Sequence, residues 1–91
     1  MVSLPDIAGT GVTVPFASPN ITASVVAINV TGTGSIRWGG PEVTANQGIR
    51  VFAGGGYFFP YQGHDRPYSL NQLSAYIPVG ATLEVAYEPW G

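Results

Sequence analysis

The sequence predicts an all-β fold: a small single-domain antiparallel β-sandwich or barrel of seven to eight short strands with an extended N-terminal arm. Three observations carry this expectation. Thirteen glycines and eight prolines punctuate 91 residues, so no unbroken helical pattern of about 12 residues survives. β-branched and aromatic residues fill the gaps between these breakers. Several segments alternate apolar and polar side chains with the period of a half-buried strand. The length admits one domain, divided into an arm at 1–9 and a β-domain at 10–91.

Residues 1–9 carry Pro5 and Gly9 and do not alternate, which predicts an arm that orders on a neighbouring molecule. Thr10 to Phe16 is a first short strand, with Pro15 restricting it to an edge because proline donates no ladder hydrogen bond. Ser18-Pro19-Asn20 turns the chain. Ile21 to Val30 is the longest strand, with Ile21, Ala23, Val25 and Ala27 on one face and Val26, Ile28 and Val30 on the other. Both faces are apolar in its second half, which predicts cover on two sides. Thr31 to Gly34 reads as a hairpin turn, and Ser35 to Trp38 returns from it. A short strand is expected at Glu42 to Thr44. Ile49 to Ala53 alternates, with Arg50 and Phe52 opposite Ile49, Val51 and Ala53. Gly54 to Gly56 breaks the strand, and Tyr57-Phe58-Phe59 follows. Residues 61–69 form the most polar loop. A last hairpin joins Leu73 to Ile77, through Pro78-Val79-Gly80, to Leu83 to Glu88, with Leu83, Val85 and Tyr87 inward.

Charge is the outlying property of this chain. Five carboxylates and three arginines make up 9% of the residues, no lysine is present, and 45% of the residues are hydrophobic. A soluble domain usually carries about 25% charged residues. A surface so poorly ionised predicts cover by other molecules. Three scattered arginines, Arg37, Arg50 and Arg66, make no basic patch, so neither nucleic acid nor an anionic membrane is expected as a partner. No apolar run approaches the roughly 20 residues of a membrane helix, and the first residues lack the pattern of a signal peptide. Asn20-Ile21-Thr22 and Asn29-Val30-Thr31 match the glycosylation triplet but read as strand residues.

Catalytic and metal chemistry find few candidates. With zero cysteines and one histidine, disulfides, thiolate metal sites and a cupin-like histidine cluster have no ligands. His64, in the polar loop, reads as a solvated surface residue. Glu84 and Glu88 share one strand face about 13 Å apart, beyond the roughly 5–9.5 Å that paired-carboxylate glycoside hydrolysis uses. The glycine runs lack the Gly-Lys-Ser/Thr ending of a phosphate loop. The chain is therefore expected not to be an enzyme and to hold no cofactor or metal.

Aromatic side chains are the remaining signal. Tyr57, Phe58, Phe59, Tyr61 and Tyr68 flank the polar loop, and Trp38 and Trp90 add two more. Successive strand side chains point to opposite faces, so inward Tyr57 and Phe59 put Phe58 outside. Trp38, Tyr57, Phe58, Tyr61, Tyr68 and Trp90 are the candidate interface residues. An alternative uses Trp38, Tyr57, Phe58 or Tyr61 as a stacking platform in a small carbohydrate-binding module.

Ser35 to Pro60 (SIRWGGPEVTANQGIRVFAGGGYFFP), followed by LNQLSAYIP at 70–78, resembles small β-rich virion proteins of tailed bacteriophages over residues 21–88. The resemblance implies a non-enzymatic structural role. The chain would be a capsid decoration or cement protein bound to the major capsid protein or other virion proteins, or a head–tail or fibre component. It implies a homo-oligomer, a trimer being favoured, on the phage head surface after synthesis in the host cytoplasm.

Overall fold

The structure, a computed structural model, describes residues 1–63 and 65–90. The expectation for His64 lies outside the described residues. These residues form an all-β fold with two antiparallel sheets and no helix.

The first sheet is built on β4 (Thr22–Gly32) and β10 (Ala81–Pro89). These two strands pair along nearly their whole length, from Ala81 opposite Gly32 to Pro89 opposite Ala23. β1 (Val2–Ser3) and β2 (Ile7–Ala8) add to the free side of β10. β7 (Gly56–Phe59) and β8 (Tyr68–Ser69) add to the free side of β4. The second sheet runs in the order β3 (Val12–Pro15), β9 (Ser74–Ile77), β5 (Ser35–Gly39), β6 (Ile49–Phe52). Three of the ten described strands have two residues each. The other seven match the seven to eight the sequence predicts.

The core lies between the sheets. β4 and β10 send in Val26, Ile28, Val30, Leu83 and Val85; β5 and β9 answer with Ile36, Trp38, Ala75 and Ile77. All are buried, and Ile36, Leu83, Val26 and Val30 are completely so. Each is an apolar residue at every second position, which explains why the strands hold their register: a one-residue slip would expose the whole set.

One irregularity changes the faces of β4. Glu88 lies opposite Val25 and Pro89 opposite Ala23, so Ser24 is the extra residue of a β-bulge. Its hydroxyl donates to the Glu88 carbonyl at 3.3 Å. The bulge resets the alternation. Ala23 joins Val26, Ile28 and Val30 in the core instead of sharing a face with Val25 and Ala27.

Four expectations are corrected. Residues 1–9 do not stand off as an arm. Val2 and Ser3 pair with Tyr87 and Ala86, Ile7 and Ala8 pair with Leu83 and Thr82, and the Leu4 amide donates to the Val85 carbonyl at 2.9 Å. Leu4 and Ile7 pack against the core. The radius of gyration, 12.2 Å, equals the roughly 12 Å of a compact domain of this length. Next, neither Thr31–Gly34 nor Pro78–Gly80 closes a hairpin. Each is a corner at which the chain leaves one sheet for the other, since β4 and β5 lie in different sheets and so do β9 and β10. Finally, Glu42 to Thr44 is no strand. Thr44 and Gln47 bond each other's backbones in a tight turn.

That turn belongs to the β5–β6 connection, which curls over the outer face of the second sheet. Thr13 Oγ1 donates to the Val43 carbonyl at 2.7 Å. The Arg37 guanidinium donates to the carbonyls of Ala45 at 3.1 Å and Gly48 at 2.9 Å. Val43 is buried as a result.

Candidate functional surface

The candidate aromatics separate into two groups. Trp38, Phe59 and Tyr68 are internal. The Trp38 ring lies 4.6 Å from Phe59 and 4.9 Å from Tyr57, and Phe59 meets Phe16 and Tyr68 edge-to-face at 6.4 and 5.6 Å. These are favoured quadrupole geometries. Trp38 is 8% exposed and offers no platform to a ligand. This corrects its place among the interface residues and weakens the stacking-platform alternative. Its indole N–H is the buried side-chain polar atom left without a partner among the described residues. Tyr68 is half-buried and donates its hydroxyl to the Pro60 carbonyl at 2.7 Å, pinning the start of the polar loop. Burial, and then the neighbouring Tyr57, raise the Tyr68 phenol above its ordinary value.

Tyr57, Phe58, Tyr61 and Trp90 are external, with Phe58 59% exposed. The register explains Phe58. It lies opposite Ala27, while Tyr57 and Phe59 lie opposite the inward Ile28 and Val26. Trp90 donates its amide to the Thr22 carbonyl at 3.1 Å, and the residue is exposed.

Two further residues belong with this group. Phe52 is 63% exposed and Ile49 is also exposed. Both are on β6, which ends the second sheet, as β7 ends the path of the first. A three-residue corner, Ala53–Gly55, joins the two edge strands. Ile49, Phe52, Tyr57 and Phe58 therefore stand on adjacent edges of the sandwich. Alternation in Ile49 to Ala53 already put Phe52 on the face of Arg50; which face is outward, and the connection to β7, were not in the sequence.

Polar groups on the two outer faces differ in sign. On the first sheet, Glu84 accepts from Asn29 Nδ2 at 3.1 Å, and Glu88 pairs with the Met1 ammonium at 3.1 Å. Asp6, Glu84, Ser3, Ala27 and Ala86 line a shallow depression of about 320 Å³ there. On the second sheet, Thr13, Tyr76, Arg37 and Arg50 form one row across four strands. Arg50 sits 5.6 Å above its own Phe52 ring. Among the described residues no three or more His, Cys, Asp or Glu side chains gather as a metal site, and no helix is long and apolar enough to cross a membrane.

This surface can bind by apolar contact, by aromatic packing and by a few charges of known sign. Comparison with known proteins adds no relative: no family model, curated protein or solved structure matches the chain.

Proposed function

We propose that the chain is a structural protein of a tailed-phage virion, a decoration or cement protein that binds coat subunits on the head surface and forms homo-oligomers. The observation that carries the reading is the pair of adjacent edge strands bearing exposed Ile49, Phe52, Tyr57 and Phe58. Phe58 stands on the outer face of the first sheet and Phe52 on that of the second, so apolar surface is exposed on both. Such surface marks interaction sites, and aromatic residues dominate the energy of such contacts. Tyr61 and Trp90 extend the exposed aromatic set. The low charge content supports the same reading, because it leaves little to keep that surface in water.

Co-sedimentation with emptied phage heads tests it. The wild-type chain is expected to pellet with heads, and Phe58→Ser to weaken binding by about tenfold or more, as for an interface anchor worth over about 1.4 kcal/mol. Because Phe58 is solvent-exposed, its replacement should leave the unfolding temperature unchanged. Binding to tail tubes but not heads would move the protein to a head–tail or fibre role. Binding to neither would remove the virion reading. In a titration of tryptophan fluorescence with glycans, Trp38 is buried and Trp90 is the exposed reporter; no saturable quenching is expected, and its appearance would favour carbohydrate binding.

A further inference from the structure

We propose that copies of this chain stack head-to-tail, the outer face of the first sheet on the β6 side of the second sheet's outer face, which the β5–β6 connection leaves open at Arg50 and Phe52. This goes beyond the capsid reading and does not depend on it.

Charge carries the argument. The chain has eight charged side chains, and five of them, Asp6, Glu84, Glu88, Arg37 and Arg50, are sorted by face, while Glu42 lies on the β5–β6 connection beside the second sheet. Glu84 and Glu88 project from the outer face of β10, and Asp6 joins Glu84 at the rim of the depression. Arg37 and Arg50 lie directly opposite each other on the outer face of the second sheet. Like charges in that position repel. Arg37 is engaged by two backbone carbonyls, whereas Arg50 pairs with no carboxylate among the described residues. A neighbour's acidic face supplies what Arg50 lacks.

Shape and spacing agree with charge. Arg50 and Phe52 are two residues apart on one face of β6, and Glu84 and Ala86 are two apart on one face of β10. Each pair spans about 6.6–6.8 Å. With Arg50 of one copy against Glu84 and Asp6 of the next, Phe52 falls on the small side chains Ala86 and Ala27, which are register neighbours. Phe58, opposite Ala27 on the next strand, closes that row. A bulky aromatic thus meets a floor of alanines bordered by a second aromatic.

Such a contact is heterologous: different patches of the same chain meet. Heterologous contacts close into rings or run on as filaments. The two faces lie on opposite sides of the sandwich, so the stack runs on as a column and does not close after three copies. That distinguishes it from the trimer the resemblance implies.

Sedimentation velocity with charge-reversed variants tests the geometry. Wild type should grow in mass beyond a dimer as concentration rises from micromolar to millimolar. Glu84→Arg breaks one face and Arg50→Glu the other; each variant alone should associate more weakly by about tenfold or more. Thermal unfolding of each variant checks that the fold is kept. Mixed, the two should co-assemble into an alternating column, because one junction restores the wild-type charge pair and the next carries the reversed pair of the double variant. The double variant Glu84→Arg/Arg50→Glu should recover self-association. A wild type that stays monomeric to millimolar concentration overturns the proposal. So does a trimer that persists in both single variants, or a mixture that stays monomeric. Head binding by the Arg50→Glu monomer is scored separately, so loss of the column and loss of the capsid reading give different results.

Discussion

Gly32 and Gly34 lie in the same corner between the sheets, and both hold positive φ, at +88° and +81°. Their surroundings differ. A Cβ on Gly34 meets nothing within 4 Å, whereas one on Gly32 runs into the Gly80 carbonyl oxygen. Gly34→Ala should therefore cost only the left-handed backbone penalty of about 1–2 kcal/mol. Gly32→Ala should cost clearly more, because the β4–β5 corner must also separate from the β9–β10 corner that carries Gly80. Urea unfolding of the two variants measures the difference; equal losses would contradict the close approach. The need for glycine at a turn was legible in Thr31-Gly32-Thr33-Gly34. Which of the two is crowded was not, because the crowding atom lies 48 positions along the chain. Trp38 shows the same limit. Residue type made it a candidate interface and stacking residue, and only the tertiary contact with Phe59 and Tyr57 settles its burial.

At the scale of elements, the positions of the longer strands were readable and strand partners were not. Ile49 to Ala53, Ser35 to Trp38 and Leu83 to Glu88 announced themselves by alternation, a local property. Pairing is non-local, and consecutive strands here change sheet at most corners. The two turns taken as hairpins have the right residues for hairpins; glycines that allow a tight reversal serve equally at a sheet-to-sheet corner. The Ser24 bulge was hidden for a related reason, since a shifted register has no signature in a run of small and β-branched residues. The N-terminal segment makes the sharpest element-scale prediction. Removing residues 1–8 uncovers β10, deletes the Leu4 amide bond to Val85 and strips Leu4 and Ile7 from the core. Those losses sum to at least about 2–3 kcal/mol at roughly 1 kcal/mol per hydrogen bond and per half-buried aliphatic side chain. The midpoint of thermal unfolding should fall by about 10 °C or more in a domain of this size. An unchanged midpoint would restore the free arm the sequence suggested.

For the whole molecule, the governing fact is a surface with little charge and much exposed apolar area. Met1, Val2, Val12, Ile49, Phe52, Tyr57, Phe58, Tyr61, Val79 and Trp90 are all exposed large hydrophobic residues. Single exposed apolar residues are normal on monomers; those on the adjoining edges β6 and β7 are not single. The paucity of charge was visible from composition, and the outward direction of Phe58 from strand alternation. Placing Phe58 with Glu84 and Glu88 on one outer face, and Phe52 with Arg37 and Arg50 on the other, required the fold. Hydroxyl-radical footprinting of the aromatic side chains tests the central claim most directly, because it compares their exposure in the dilute free chain and in the assembled state, bound to heads or at high concentration. Phe52, Phe58 and Tyr61 should be oxidised readily when free and become protected on assembly, while the buried Phe16 and Phe59 stay protected throughout. Equal oxidation of Phe52 and Phe58 in both states would show that nothing covers this surface.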